Sequence, residues 1–320
     1  MSADRDWDRP IGQKLKLRDL QVIFIVAEQG SMAKAATVLG ITQSAVSQMI
    51  ADLELYLGVR IFDRSRRGVD LTVYGRALMR SGRAAFDELR LGLQEIDFLR
   101  NEGTGLIRIG CPETLAASVL PLALERFSSC WPDVVFEVQT FPGAAAADKL
   151  RDRSIDLVLF REGVGVNNVE QSDEFRMTRL FEDELKIVVG ANSVWAHSKA
   201  TSLADLAEAP WIILPYGWGE EMIPNAFRAL GLAGPRTAIK TFSIHLRLHL
   251  LMTGRFVTAL PQSVIDLHRG KFAIVELPID LPRSPYGVAI VTLRGRTLSR
   301  VVEHFIESTT TIYGKVEGET

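Results

Sequence analysis

In QSAVSQMIADLE, Gln43, Ser44, Ser47 and Gln48 bring two amides and two hydroxyls together at helical spacing. Residues three and four apart share one flank of a helix. None of these groups is a general base or an activated nucleophile. What they do well is hydrogen-bond. A glutamine pairs with the major-groove edge of adenine, and serine bonds to bases or phosphates. The chemistry they suit is reading of a DNA major groove. A solvated polar face on any small helical unit is the competing reading, and the flanking sequence decides between the two.

Those residues need a helix beneath them. Val46, Met49, Ile50 and Leu53 give it an apolar face, and Thr42 can cap its start. A shorter helix precedes it, capped by Ser31, turning Ala35, Ala36 and Leu39 inward and stopping at Gly40. Before that, Leu20, Ile23, Phe24 and Ala27 mark one face of a first helix ending at Gly30. The connection LGIT is too short for the second and third helices to run alongside each other. It forces a steep crossing, the geometry of helix-turn-helix. Small Ala35 and Ala36 permit the close approach.

After Gly58, VRIFDRSRRGVDLT reads as a strand, a basic turn and a second strand. Arg64, Arg66 and Arg67 then sit at a hairpin tip, suited to phosphates or a minor groove. The net charge of −2, from 37 basic and 39 acidic residues, conceals this excess. Between Arg60 and Arg83 there are seven arginines against Asp63 and Asp70. A helix-turn-helix followed by a basic wing is far more specific than either feature alone.

With these parts in order, the stretch from FIVAEQGSMAKAA through ITQSAVSQMIADLE and LGVRIFDR to LTVYG resembles the DNA-binding domain of LysR-type transcriptional regulators. The resemblance implies an N-terminal all-α winged helix-turn-helix over 15–72 and a linker and dimerisation helix over 73–103. It further implies an α/β effector domain of two lobes, similar to type II periplasmic binding proteins. Lobe 1 is expected over 104–162 and 294–315, and lobe 2 over 163–293. DNA contact is assigned to Ser31, Thr42, Gln43, Ser44, Ser47, Gln48, Arg64, Arg66 and Arg67. Gln48 stands where many members carry Arg, and Ala51 and Asp52 replace a commonly more basic pair. Both changes lower the charge of the recognition helix.

The helix from Thr72 to about Leu99 would span roughly 42 Å at ~1.5 Å per residue. Met79, Phe86 and Leu93 recur every seven residues, with Leu89 and Ile96 on the alternate seam, and a self-paired helix is expected. The resemblance implies antiparallel pairing in a homodimer, with homotetramers formed through the effector domains.

Beyond NEGTG the pattern changes to alternating strands and helices, which reads as βαβ units and mainly parallel sheet. The chain is expected to cross between lobes near 161–166 and 292–296. Ligands of open α/β sheets sit outside the carboxyl ends of strands. By that rule, and by the resemblance, a small-molecule effector lies between the lobes against Thr114, Thr140, Arg161, Tyr216 and Ser243. Each also has a plainer reading, as a helix cap, a loop residue or a bridge. Arg161 can grip a carboxylate, whereas Glu113 beside Thr114 would repel one. Thr140 stands where many relatives have Glu.

Other classes fit poorly. No apolar run approaches the ~20 residues of a membrane span, and the opening MSADRDWDRP lacks the apolar core of a secretory leader. Neither a GxSxG motif nor a phosphate-binding glycine loop is present, and no enzyme activity, cofactor or metal is expected. His245 and His249 share a helix face without further ligands. Cys111 and Cys130 bracket what reads as one helix of ~17 residues, so their Cα atoms would lie roughly 25 Å apart, too far for a disulfide. The expected protein is cytoplasmic and binds an operator, an effector and, by resemblance, RNA polymerase. The rival class is an architectural DNA-binding protein whose C-terminal lobes only oligomerise. A solute-binding transport protein with an appended helical domain conflicts with the absent leader.

Overall fold

A computed structural model of the chain describes residues 15–65, 68–101, 103–163, 167–197, 202–215, 218–281 and 285–314. It forms two compact units, Met1–Arg90 and Leu91–Thr320.

In the first unit α1 (Leu17–Gln29), α2 (Met32–Leu39) and α3 (Gln43–Leu57) precede a hairpin of β1 (Phe62–Ser65) and β2 (Gly68–Leu71). Ser31 and Thr42 cap α2 and α3, their hydroxyls accepting from the backbone of Lys34 and Ala45. Gly40 takes φ +67°, which an L side chain resists, and Ile41 N–H then reaches back to the Ala36 carbonyl at 3.1 Å. The core gathers Val22, Ile23, Val26, Ala35, Ala36, Val46, Ile50 and Ile61. Burial of each larger aliphatic side chain contributes about 1.5–3 kcal/mol. Phe24 and Ala27, expected to face inward, are only half-buried. Oε1 of Glu54 accepts the backbone N–H groups of Ile61 and Phe62 at 2.7 and 3.1 Å, fixing where the hairpin starts.

α4 (Val73–Arg100) follows, capped by Thr72 through the Gly75 N–H at 3.0 Å. A Cβ on Gly75 would stand 2.2 Å from the Ile61 carbonyl, so only glycine lets the helix lie there. The heptad stripe divides. Met79 is buried in the first core, and the Phe86 ring packs on Phe24 at 5.5 Å. Leu89, Leu93, Ile96 and Leu99 remain exposed, Leu93 at 65%. The expected self-pairing seam therefore gives up Met79 to the core of its own unit, and turns the half-buried Phe86 onto Phe24. The last turns of α4 belong to the second unit, where Phe98 meets Trp131 and Glu95 pairs with Arg300 at 2.9 Å.

The second unit runs β3 (Gly105–Cys111), α5 (Glu113–Ala116), α6 (Val119–Cys130), β4 (Val134–Thr140), α7 (Ala146–Arg151), β5 (Leu157–Arg161), α8 (Asn167–Glu170) and β6 (Phe175–Asp183). It continues through β7 (Leu185–Gly190), α9 (Val194–His197), β8 (Trp211–Ile213), α10 (Trp218–Ala229), β9 (Thr237–Lys240), α11 (Ile244–Met252) and β10 (Val257–Pro261). α12 (Gln262–His268), β11 (Ile274–Leu277), β12 (Tyr286–Leu293) and α13 (Arg300–Gly314) complete it. Among the described residues there are two five-stranded sheets, ordered β4-β3-β5-β12-β6 and β11-β7-β10-β8-β9.

Three expectations are corrected here. The sheets are mixed: β12 runs antiparallel to β5 and β6, and β7 antiparallel to β10 and β11. The segments 175–183 and 286–293, expected in lobe 2, pair with each other in the first sheet. After β5 the chain stays in lobe 1 because β6 finds its partner in β12. The crossings thus fall at Glu184, between β6 and β7, and between β11 and β12, not near 161–166 and 292–296. The segment between the cysteines is two helices, broken at Ala117 and Ser118, with Cys111 buried, Cys130 exposed and both thiols free.

Candidate DNA-reading surface and effector site

On α3 the apolar flank holds Val46, Ile50 and Leu53 in the core, and this fixes the opposite flank. Gln43, Ser44 and Gln48 are exposed there and Ser47 is half-buried. The structure brings these four together. Thr42, also exposed, bonds the Ser44 hydroxyl at 2.9 Å in addition to capping the helix. Nε2 of Gln48 donates to Oδ1 of Asp52 at 2.7 Å, one turn on. The departure at position 52 therefore orients the glutamine as well as lowering the charge. Ser31 is half-buried at the start of α2. Arg64 lies on β1, paired with Val69, and Arg66 and Arg67 lie outside the described residues.

In the second unit the sequence-derived residues meet only in part. Thr114, in α5 just past β3, is buried, and its Oγ1 accepts from Nη2 of Arg161. Arg161 ends β5 opposite Val288 of β12, so it stands beside the second crossing strand rather than on a connection. Its guanidinium lies 5.5 Å from the centre of the Tyr286 ring. Ser243 caps α11 in the other lobe, accepting from Leu246 N–H at 3.3 Å. The lobes are joined at this point, where Oε1 of Glu113 accepts the Ile244 N–H at 3.0 Å. Thr140 ends the edge strand β4 opposite Cys111 and is exposed, apart from this network. Tyr216 lies outside the described residues.

Sequence reasoning missed Arg247. It stands on α11 with Ile244, Leu248 and Leu251, all four buried on one face, and it is only 4% exposed. Its Nη2 donates to the Thr258 hydroxyl at 2.9 Å and to the Ala259 carbonyl. Burial, then repulsion by Arg161, lowers its pKa to about 10, with Glu113 opposing; it stays charged at neutral pH. The signal was present, since an arginine at an i, i+3, i+4, i+7 apolar position must be buried with a partner or a purpose. Near the same seam, burial lowers the His268 pKa.

Comparison with known proteins places both units. Residues 17–76 match the family model for bacterial regulatory helix-turn-helix proteins of the lysR family, and residues 100–311 match the LysR substrate binding domain. The transcriptional dual regulator GltC of Bacillus subtilis is 28% identical over 304 residues, covering 95% of this chain and 99% of its own. A probable nitrogen assimilation transcriptional activator of Synechococcus elongatus is 26% identical, covering 91% and 93%. The crystal structure of full-length CbnR complexed with its target DNA shares the fold, with a TM-score of 0.64 at 20% identity over 93% of this chain and 99% of that one. With both of its units matched in order, the chain belongs to the LysR family of transcriptional regulators.

Proposed function

We propose that this LysR-family regulator reads its operator with Gln43, Ser44, Ser47 and Gln48, held to the DNA backbone by Ser31, Thr42, Arg64, Arg66 and Arg67. The observation that carries the reading is the polar flank of α3, exposed while its other flank is locked in the core. Asp52 sets the Gln48 amide, leaving its carbonyl free to accept from a base. Pairing of subunits through the exposed Leu89, Leu93, Ile96 and Leu99 would match an interrupted palindrome. The protein acts in the cytoplasm, without catalysis, and meets RNA polymerase on the promoter. A small effector sits between the lobes against Thr114, Arg161 and Ser243 and shifts the balance of two DNA-bound states.

The test is selection of bound sequences from a random duplex pool, followed by salt titration on the selected site. An interrupted palindrome is expected. Arg66→Ala with Arg67→Ala should flatten the log–log salt dependence by about one for each phosphate no longer neutralised. No enriched sequence, or an unchanged slope, would overturn the assignment.

A further inference from the structure

A glutamine on a DNA-facing helix is an ambiguous reader. Its amide carries a carbonyl and an NH2 group on one planar end. Turned one way, it offers an acceptor to the amino group of adenine. Turned over, it offers N–H to the carbonyl oxygen of guanine or thymine. In this chain Gln48 has lost that freedom. Asp52, one turn on along α3, places Oδ1 2.7 Å from Nε2 of Gln48. Both residues are exposed on the flank opposite Val46, Ile50 and Leu53. An ionised carboxylate can only accept, so only the nitrogen end of the amide can face it. The overturned amide would set Oε1 against Oδ1, two acceptors with no proton between them.

An acid on this helix opposes the phosphate charge and weakens binding to every sequence. Among the described residues, no cation pairs with Asp52 to offset this. What Asp52 supplies instead is direction, since it fixes which end of Gln48 faces outward. With one amide proton held by Oδ1, the second proton and the carbonyl remain. Adenine uses both, donating from N6 to Oε1 and accepting at N7 from the remaining N–H. Cytosine has the amino donor but no acceptor beside it in the major groove, so it would make only one of these bonds. Guanine presents two acceptors, N7 and O6, and would set O6 against Oε1. Thymine O4 meets the same repulsion.

We propose that Asp52 is a specificity-determining residue: by holding the Gln48 amide, it commits one operator position to adenine and excludes guanine and thymine. This rests on the reading that the polar flank of α3 enters the major groove, and it names the base read there. Asp52 is a positioning residue that acts through Gln48 and touches no base itself.

The experiment selects bound duplexes from a random pool with the full chain and with its Gln48→Ala, Gln48→Arg and Asp52→Asn variants. Both positions are exposed, so the variants should fold as the parent does. The parent should enrich adenine at one position of each half-site, the position whose preference Gln48→Ala erases. Guanine there should weaken binding about five- to 150-fold. Unsubstituted purine, which lacks only the N6 amino group of adenine, should weaken it about two- to tenfold, the range for one hydrogen bond. Gln48→Arg should switch the same position to guanine. Asp52→Asn keeps the shape but can donate as well as accept, so the amide can turn over. The preference for adenine over guanine and thymine should then fall to near parity there, while other positions keep theirs. An unchanged preference in Asp52→Asn overturns the proposal, because a residue acting by charge alone shifts affinity for all sequences and favours no base. Cytosine, guanine or thymine enriched by the parent at the Gln48-dependent position overturns it too, and leaves the groove reading standing. If no sequence is enriched, or Gln48→Ala alters no position, the groove reading fails with it.

Discussion

Oε1 of Glu113 accepts the backbone N–H of Ile244 at 3.0 Å, so an acid from one lobe caps the first turn of a helix in the other. Ser243 caps the same turn from within its own lobe. Negative charge is favoured at a helix N-terminus, and a cap of this kind contributes about 0.5–2 kcal/mol. Glu113→Ala should lower stability by about 1 kcal/mol and expose the Ile244 amide to hydrogen exchange. Glu113→Gln keeps an acceptor and should preserve most of that protection. Equal protection in both variants would mean that the interaction is incidental.

The divided stripe on α4 separates two roles that the heptad pattern merges. Phe86 is half-buried against Phe24 in the first unit, so Phe86→Asp loses that aromatic contact and should destabilise the unit by about 1 kcal/mol. Leu93 is exposed, and Leu93→Asp should leave the melting temperature of the monomer unchanged while dissociating the oligomer. Light scattering and thermal melts distinguish them. A Leu93→Asp protein that retains the parental mass would show that subunits do not pair through this face.

Gln48 and Asp52 can be separated by a two-step substitution. Gln48→Ala and Ser47→Ala should each weaken operator binding by ~1–3 kcal/mol while sparing random DNA. Asp52→Ala releases the glutamine amide and removes an acid from the DNA-facing helix. It should raise affinity for random DNA while narrowing the gap between operator and random sequence. A proportional gain on both would assign Asp52 to charge alone.

The two thiols should label very differently. Burial pushes the Cys111 thiol up to about 12, far above neutral pH, whereas Cys130 is exposed. Brief treatment of the folded chain with iodoacetamide should modify Cys130 and spare Cys111, with full labelling of Cys111 only in denaturant. Peptide mass spectrometry reads the outcome, and rapid labelling of Cys111 in the native state would show that β3 opens readily.

The DNA-reading unit was legible because its information is local. Caps at Ser31 and Thr42, the stop at Gly40 and the apolar period of α3 each act within a few residues, and together they fix which flank is exposed. The lobe boundaries were not legible for the converse reason. FRMTRLFED alternates weakly, and it becomes a strand only because YGVAIVTL, more than a hundred residues on, pairs with it. Reading βαβ units from alternation misses such antiparallel partners, and so misplaces the crossings. Arg247 was hidden in plain view among Ile244, Leu248 and Leu251, since a single charge in an apolar period reads as noise until its burial is known.

Thr114 is the residue on which the cap and binding readings divide. Its hydroxyl is buried and accepts from Nη2 of Arg161, so it positions the guanidinium rather than simply closing the first turn of α5. Thr114→Val keeps the shape and strands that donor. Leaving a buried charged donor without its partner costs about 1–3 kcal/mol, or roughly 5–150-fold when it is expressed in ligand affinity. Thr114→Ser restores the hydroxyl without the methyl and should recover most of that affinity. Operator affinity in the absence of effector should be nearly unchanged, because the hydroxyl belongs to the second compact unit. Since an effector shifts an equilibrium only by its differential affinity for the two states, the Val variant should need more ligand before its maximum response falls. The measurement is an operator-binding titration of all three proteins with a small molecule to which the parent responds. If the Val and Ser variants respond as the parent does, Thr114 is a helix-start residue and Arg161 is oriented by Tyr286 alone.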